Sequence, residues 1–410
     1  MKKIIAIVVV IVALLMGAFF YWIHQPALVG EEQVTQSVND ANKRFAQTQR
    51  EAKSAELNGF LSEEFLPVWS GQEGEVKQTL TTWSAYSNAL RGNEVNHSAL
   101  LDDANYRAAR DGYEAVLPSL LTELDKRLFV VPRESLSSSQ APDANGLRTL
   151  SHSVYAYVES KVAEGKPEEA VRPLAALFSL GGKMQGRETL GNDLAGIAIQ
   201  RIAFQAVALI PSDSKLAAQD WLSLATAVNQ GIPPKDQMAR AFEAEVSVSL
   251  EQIQKNENEA AASGSSLDQL FLQREKRIFM NQTAEQIQAL KSDGLASYAA
   301  PEQSGTIAQI RTSDFVRAGH LMEAHRRAMV LAATALDLRA YRAKNGKLPQ
   351  SLDQLVEMGL ETPEESMKYD PEQGTLSLSM PAEVLQGLNR KDFDLAGWSE
   401  ISQDSLIIHL

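Results

Sequence analysis

Apolar positions recur at helical spacing along most of this chain, and in two places they run together almost unbroken. The first such run is Ile4–Ile23, preceded by Lys2 and Lys3. About twenty residues without a charge are enough, as a helix, to cross about 30 Å of hydrocarbon. The second is Leu190–Ile210, in which Asp193, Gln200, Arg201 and Gln205 interrupt the apolar surface. Those side chains make a membrane span costly, so this segment is predicted as a central buried helix of a bundle. From Glu31 to about Leu57, Val34, Val38, Ala41 and Phe45 form one narrow stripe. That stripe fits a helix packed on the body, and its alternative is a stalk lifting the body off a membrane.

Further along, residues 75–130 hold two or three helices punctuated by Gly92 and Asn93, and the Ser- and Pro-rich stretch Pro132–Gly146 reads as an exposed loop. Leu147–Glu164 is amphipathic. Gly165 after it suits a C-terminal cap, Pro167 a first turn, and Glu168 and Glu169 the positive end of the next helix, which runs to about Met184. This helix–turn–helix unit resembles a tetratricopeptide (TPR) hairpin, although no regular 34-residue repeat accompanies it. Gly181-Gly182 reads as a cap or break. Helices follow over 215–230, Asp236–Asn258 and 267–291, with Gly231–Lys235 as a turn, Ala260–Ser266 as a flexible link and a loop around Pro301 and Gly305. One long helix spans Thr312–Lys344, with Phe315, Ala318, Met322, Met329, Ala333, Leu336 and Ala340 on one face, and Asn345-Gly346 stops it. Pro349-Gln350-Ser351 opens a short helix to Met358, with Ser351 as cap; Lys368–Gly374 is a turn; Thr375–Met380 and Ser405–Leu410 are β-prone.

The expected fold is therefore mainly α: an N-terminal transmembrane helix, a multi-helix array with TPR-like helical hairpins, and a small C-terminal helix-plus-β-hairpin region. The expected divisions are 1–25 (transmembrane signal anchor), 26–140 (N-terminal helical region), 141–310 (central hairpin array) and 311–410 (long helix plus small β region).

Charge placement orients the anchor. Lys2 and Lys3 precede the apolar run, Glu31 and Glu32 follow it, and no Lys or Arg appears again until Lys43. By the positive-inside rule the N-terminus is cytoplasmic and the rest lies outside, as a single-pass protein of a bacterial inner membrane with a periplasmic bulk. A cleaved signal peptide is the rival, but neither Ala18 nor Ala27 has the small partner two residues earlier that cleavage favours. A net charge of −13 argues against nucleic acid as a partner, and the absence of Cys excludes disulfides, thiolate metal sites and a Cys nucleophile.

Chemistry-bearing residues are sparse. His320 and His325 are the best metal candidates, yet a spacing of five puts them about 140° apart on a helix. Glu243 and Glu245 lie two apart in an apolar helix, so one points inward, and Arg201 is the cation expected to neutralise it. That group (Arg201, Glu243, Glu245) is the expected buried polar cluster or ligand site. His97-Ser98 reads as an ordinary polar loop or helix start. No G-x-S-x-G, P-loop or G-x-G-x-x-G motif occurs. No catalytic residue, metal or cofactor is assigned.

Residues 147–203 and 335–356, with YDPEQGTLSL and the terminal DSLIIHL, resemble a broad set of uncharacterised bacterial membrane-anchored helical proteins. The resemblance implies architecture and location, and it carries no activity. Tyr341, Gly346, Pro349, Asp370 and Pro371, in that order, are also similar to the C-terminal part of the major pseudopilins of type II secretion. Pseudopilins join this part directly to a membrane helix with a cleavable leader, and this chain departs from that pattern. The function expected is a membrane-anchored extracytoplasmic scaffold that meets an envelope protein partner. The alternatives are a small-molecule or lipid-binding helical module, and a hydrolase with an unrecognised site.

Overall fold

In the computed structural model, the described residues are 16, 31–91, 102–136, 143–185, 189–212, 214–234, 236–292, 306–357, 366–387, 399–401 and 405–410. The anchor segment, His97-Ser98 and the loop at Pro301 and Gly305 lie outside them, Met16 excepted. Mainly helical architecture with a small antiparallel sheet is what the chain adopts. Among the described residues no helix is long and apolar enough to cross a membrane.

The main body is built on α2 (Leu66–Ser70), α3 (Glu75–Arg91), α4 (Ala104–Asp125), α5 (Ala144–Ala163), α6 (Val171–Met184), α7 (Leu190–Val207) and α8 (Ala218–Gln230). Local chemistry sets several ends. Asp143 caps α5 three residues earlier than the periodicity predicts, accepting from the N–H groups of Asn145 and Gly146. Gly165 closes the helix at φ 73°, a left-handed conformation that only glycine adopts cheaply. Pro167 then opens a short 3₁₀ turn, Pro167–Ala170, before α6.

Long-range packing departs from a serial stack of hairpins. Helix α5 lies mainly on α3, α6 on α7, and α8 on α11 (Thr306–Asn345). The last of these explains the apolar texture of α11, in which every residue from Leu331 to Ala340 is buried. Asp337 and Arg339 are buried there too, and the Arg339 guanidinium lies over the Trp221 ring, 5.1 Å from its centroid. Gly346, at φ 73°, ends α11 as predicted.

A second core holds together α1 (Glu31–Ala52), α9 (Gln237–Ser263) and α10 (Ser266–Ser292), through Val34, Phe242, Val246, Phe279 and Ile287. Helix α1 is thus packed, and it runs antiparallel to α9: Arg44 meets Glu243, and Asn42 meets Ser247. The segment Ala260–Ser266, expected to be a flexible link, is a correction. Its first four residues extend α9, because Ala260, Ala261 and Ala262 are the best of helix formers. Only Gly264, at φ 74°, and Ser265 connect α9 to α10. From Gln254 through Ile278 no described side chain is buried, so α9 and α10 project from the body as an arm.

Beyond α11 a short helix, α12 (Asp353–Glu357), begins later than Pro349-Gln350-Ser351 predicts, and no side-chain cap from Ser351 is seen among its described bonds. Then come β1 (Met367–Asp370), β2 (Thr375–Ser379), α13 (Ala382–Gly387), β3 (Ser399–Ile401) and β4 (Ser405–His409). The sheet order is β1-β2-β4-β3, all antiparallel, with Leu376 opposite Ile408 and Leu378 opposite Leu406. Alternation turns those four side chains inward, and β2 and β4 lie against α11. Lys368, Tyr369 and Asp370, expected in a turn, belong to β1. The turn itself is Pro371–Gly374, where Asp370 Oδ1 accepts from the N–H groups of Glu372 and Gln373.

Candidate functional site

The densest buried polar arrangement centres on Gln200 of α7, which has no exposed surface. Glycines bring the backbones together around it. A Cβ on Gly181 would lie 2.7 Å from Gly196 O, and one on Gly196 would lie 2.5 Å from Gly181 O. A Cβ on Gly182 would meet Gly231 Cα at 2.7 Å. Gly181-Gly182 is therefore not a cap or break. It sits inside α6, where α6 crosses α7 and touches the turn after α8.

Gln200 uses its full hydrogen-bonding capacity. Nε2 donates to Phe178 O at 3.1 Å and to Gly231 O at 3.0 Å. Oε1 accepts from Gln185 Nε2 at 2.7 Å and meets His325 Nε2 at 2.7 Å. Two carbonyl acceptors fix which end of the amide is nitrogen, so Oε1 is an acceptor only and His325 Nε2 carries the proton. Gln185 Nε2 also donates to Gly181 O at 3.1 Å, and Gln237 Nε2 of α9 approaches Gln185 Oε1 at 3.4 Å. Burial pushes the His325 pKa down to about 3, and the nearby positive charge of Arg201 adds to the shift. The ring is neutral at neutral pH. This cluster lies at the seam of the two cores: Ile197 and Met322 belong to the smaller, and Ile199 and Ala324 to the larger.

The predicted residues divide between this seam and two other places. His325 is buried in the cluster, and His320 is buried one and a half turns earlier on α11. Arg201 is half-buried beside His325. Of the paired carboxylates, Glu243 does point inward, at 2% exposure, while Glu245 is half-buried. Arg44 of α1 pairs with Glu243 at 2.6 Å. Glu245 Oε1 accepts from the N–H of Leu190 at 3.3 Å, at the start of α7, where a carboxylate suits the helix dipole. Leu190 and Gln200 are ten residues apart, about 15 Å of helix, so Glu245 and His325 work at different points along α7. Among the described residues no group of three or more His, Asp or Glu side chains could hold a metal ion.

A second polar network escaped the sequence reading. Lys161 of α5, with a side chain 6% exposed, pairs with Glu114 and Glu169 at 2.8 Å each, and its Nζ lies over the Tyr157 ring at 5.2 Å. These carboxylates raise the Lys161 pKa against the opposing effect of burial. Arg110 joins through Glu164 at 2.9 Å. The network ties α4, α5 and the 3₁₀ turn, so it clamps the Gly165 connection. The only sequence signal was a lysine inside an otherwise apolar helix face.

Against known protein families, curated proteins and solved structures, the chain has no significant match.

Proposed function

We propose that this protein is a membrane-tethered helical scaffold of the bacterial envelope, with its body on the periplasmic side and its surfaces offered to another envelope protein. The reading rests on where Glu31 lies. It shares one cavity with Glu257 and Ala261 of α9 and with Gln269 and Met280 of α10, so the first long described helix begins alongside the arm. The apolar run Ile4–Ile23 precedes that helix in the sequence by seven residues, which supports reading it as a tether joined on the arm's side. The tight Gly264-Ser265 connection folds α9 and α10 against each other as one helical hairpin, a shape that suits an interaction protein.

The Gln200 cluster supports a structural role more than a ligand site, because backbone from three segments already fills the space around it. Separation of Glu245 from His325 along α7 likewise weakens the hydrolase alternative. The test combines topology and partnership. Protease added to spheroplasts is expected to degrade the body while carbonate leaves the residual anchor in the membrane. In-cell crosslinking is expected to recover an envelope complex. A body protected from the protease, or a protein that stays solitary under crosslinking, refutes the proposal.

A further inference from the structure

The end of the arm has a composition unlike the rest of the acidic surface. From Ala260 through Leu267 no residue is charged, and in the following stretch to Gln273 only Asp268 is. Phe271, 43% exposed, stands on this end, with Leu270 and Leu272 half-buried beside it. Over the arm as a whole, tip included, the charges balance. Over residues 254–278, Lys255, Arg274, Lys276 and Arg277 offset Glu257, Glu259, Asp268 and Glu275.

The position of this tip is tied to the chain's entry point. Antiparallel packing sets Glu31 opposite about Glu257, seven residues or about 10 Å of helix short of the Gly264 turn, in a cavity that Ala261 and Gln269 also line. Between Ile23 and Glu31 there are seven residues, 24–30. Fully extended they reach about 25 Å. The arm itself runs eleven residues from the last buried position of α9, Ile253, to Gly264, about 16 Å of helix. A tether of at most about 25 Å from a membrane span would leave the arm's tip within reach of the bilayer surface.

We propose that the tip Ala260–Leu272 is a second membrane contact, resting at the boundary of headgroups and acyl chains of a zwitterionic phospholipid bilayer. This inference rests on the anchor reading above. Small uncharged residues let the turn sink among headgroups, and Phe271 with its neighbouring leucines supplies the apolar surface. Balanced charge over the arm, with Asp268 of the tip included, gives no preference for anionic lipid, so the contact is insensitive to salt. Two contacts, one spanning and one peripheral, fix the tilt of the arm and the height of the body above the membrane.

The absence of native Cys makes the test direct. Full-length Ala262→Cys carries an environment-sensitive fluorophore and is reconstituted in phosphatidylcholine vesicles containing a lipid with a quencher on its acyl chain. Lys347→Cys, exposed beyond the opposite end of α11, is the control. The tip label is expected to lose emission at low and high salt alike, and the control label to keep it. Phe271→Glu is expected to restore emission at the tip. A tip label that stays bright in carbonate-resistant proteoliposomes overturns the docking while leaving the anchor standing. A chain that carbonate extracts overturns the anchor and the docking with it. Quenching that disappears as protein is diluted into excess lipid means that a second copy covers the tip, and also overturns it.

Discussion

Replacing Gln200 by leucine keeps most of the side-chain volume and removes all of the hydrogen bonds that its side chain makes at the seam of the two cores. Four contacts vanish: the donations to Phe178 O and Gly231 O, and the acceptances from Gln185 and His325. The losses are unequal. Gln185 Nε2 keeps Gly181 O, whereas the His325 Nε2 proton loses the acceptor described for it, in a site where the ring is 3% exposed. A buried orphan donor costs about 1–3 kcal/mol, and each lost neutral hydrogen bond about 1 kcal/mol. The branched leucine also presses on Gly181 and Gly231, which have no room to give. The expected destabilisation is about 3–5 kcal/mol. Urea unfolding in detergent, followed by the fluorescence of buried Trp69, Trp83 and Trp221 and by helical circular dichroism, measures it. The double variant Gln200→Leu with His325→Leu removes both polar partners and is expected to be less damaged than the sum of the single variants. A single-variant loss below about 1 kcal/mol, or strict additivity in the double variant, would refute the orphan-donor account.

Four further outcomes are expected. His325 is neutral and buried in the folded state, so the unfolded chain alone binds its proton from about pH 6.5 downward. Stability is complete above that pH and is lost as pH falls toward about 3, at up to about 1.4 kcal/mol per pH unit from this group. His325→Gln, which keeps a donor for Gln200, should flatten that acid limb in unfolding measurements made from pH 7 to pH 4. Arg44→Met should cost about 1–2 kcal/mol, less than a fully buried pair because Arg44 is 37% exposed, and should raise amide exchange along α1 before it does so in α5. Asp143→Ala should cost about 1 kcal/mol by leaving the first N–H groups of α5 uncapped. Gly165→Ala should cost about 1 kcal/mol, and Gly165→Asn less, because the strain comes from the positive φ and nothing lies near an added Cβ; thermal melts rank the two.

What was legible in the sequence is what short range determines. Gly165 and Gly346 announced their left-handed caps, and the two-residue spacing of Glu243 and Glu245 announced that one would turn inward. The stripe of α11 was legible too, although its burial on all sides from Leu331 to Ala340 was not, because that depends on α8 and the sheet arriving from either side. Gly181-Gly182 was misread for the same reason: the backbones that require those glycines belong to Gly196 and Gly231. Ala260–Ser266 has the composition of a linker, and alanine's helix propensity decided otherwise. Around the expected polar site, the contacts that stand out are distant in sequence. Gln200 and His325 are 125 positions apart and Arg44 and Glu243 are 199 apart, beyond any local pattern. A glutamine in an apolar run was still a signal, since a buried amide has to find partners.

The pairing of α1 with α9 has a consequence for how the chain is made. Helix α1 is the first described element to leave the ribosome, and its partner on α9 lies 199 residues later. At about 5–20 residues per second, α1 waits about 10–40 s for the surface that covers Val34 and Phe45. The body from α2 to α8 is synthesised and free to fold during that interval. The arm is therefore assembled after α2 to α8 have emerged and before α11 and the sheet complete the body, by closing an early helix onto a segment past the chain's midpoint, and a holdase that shields an amphipathic helix has its longest opportunity at α1.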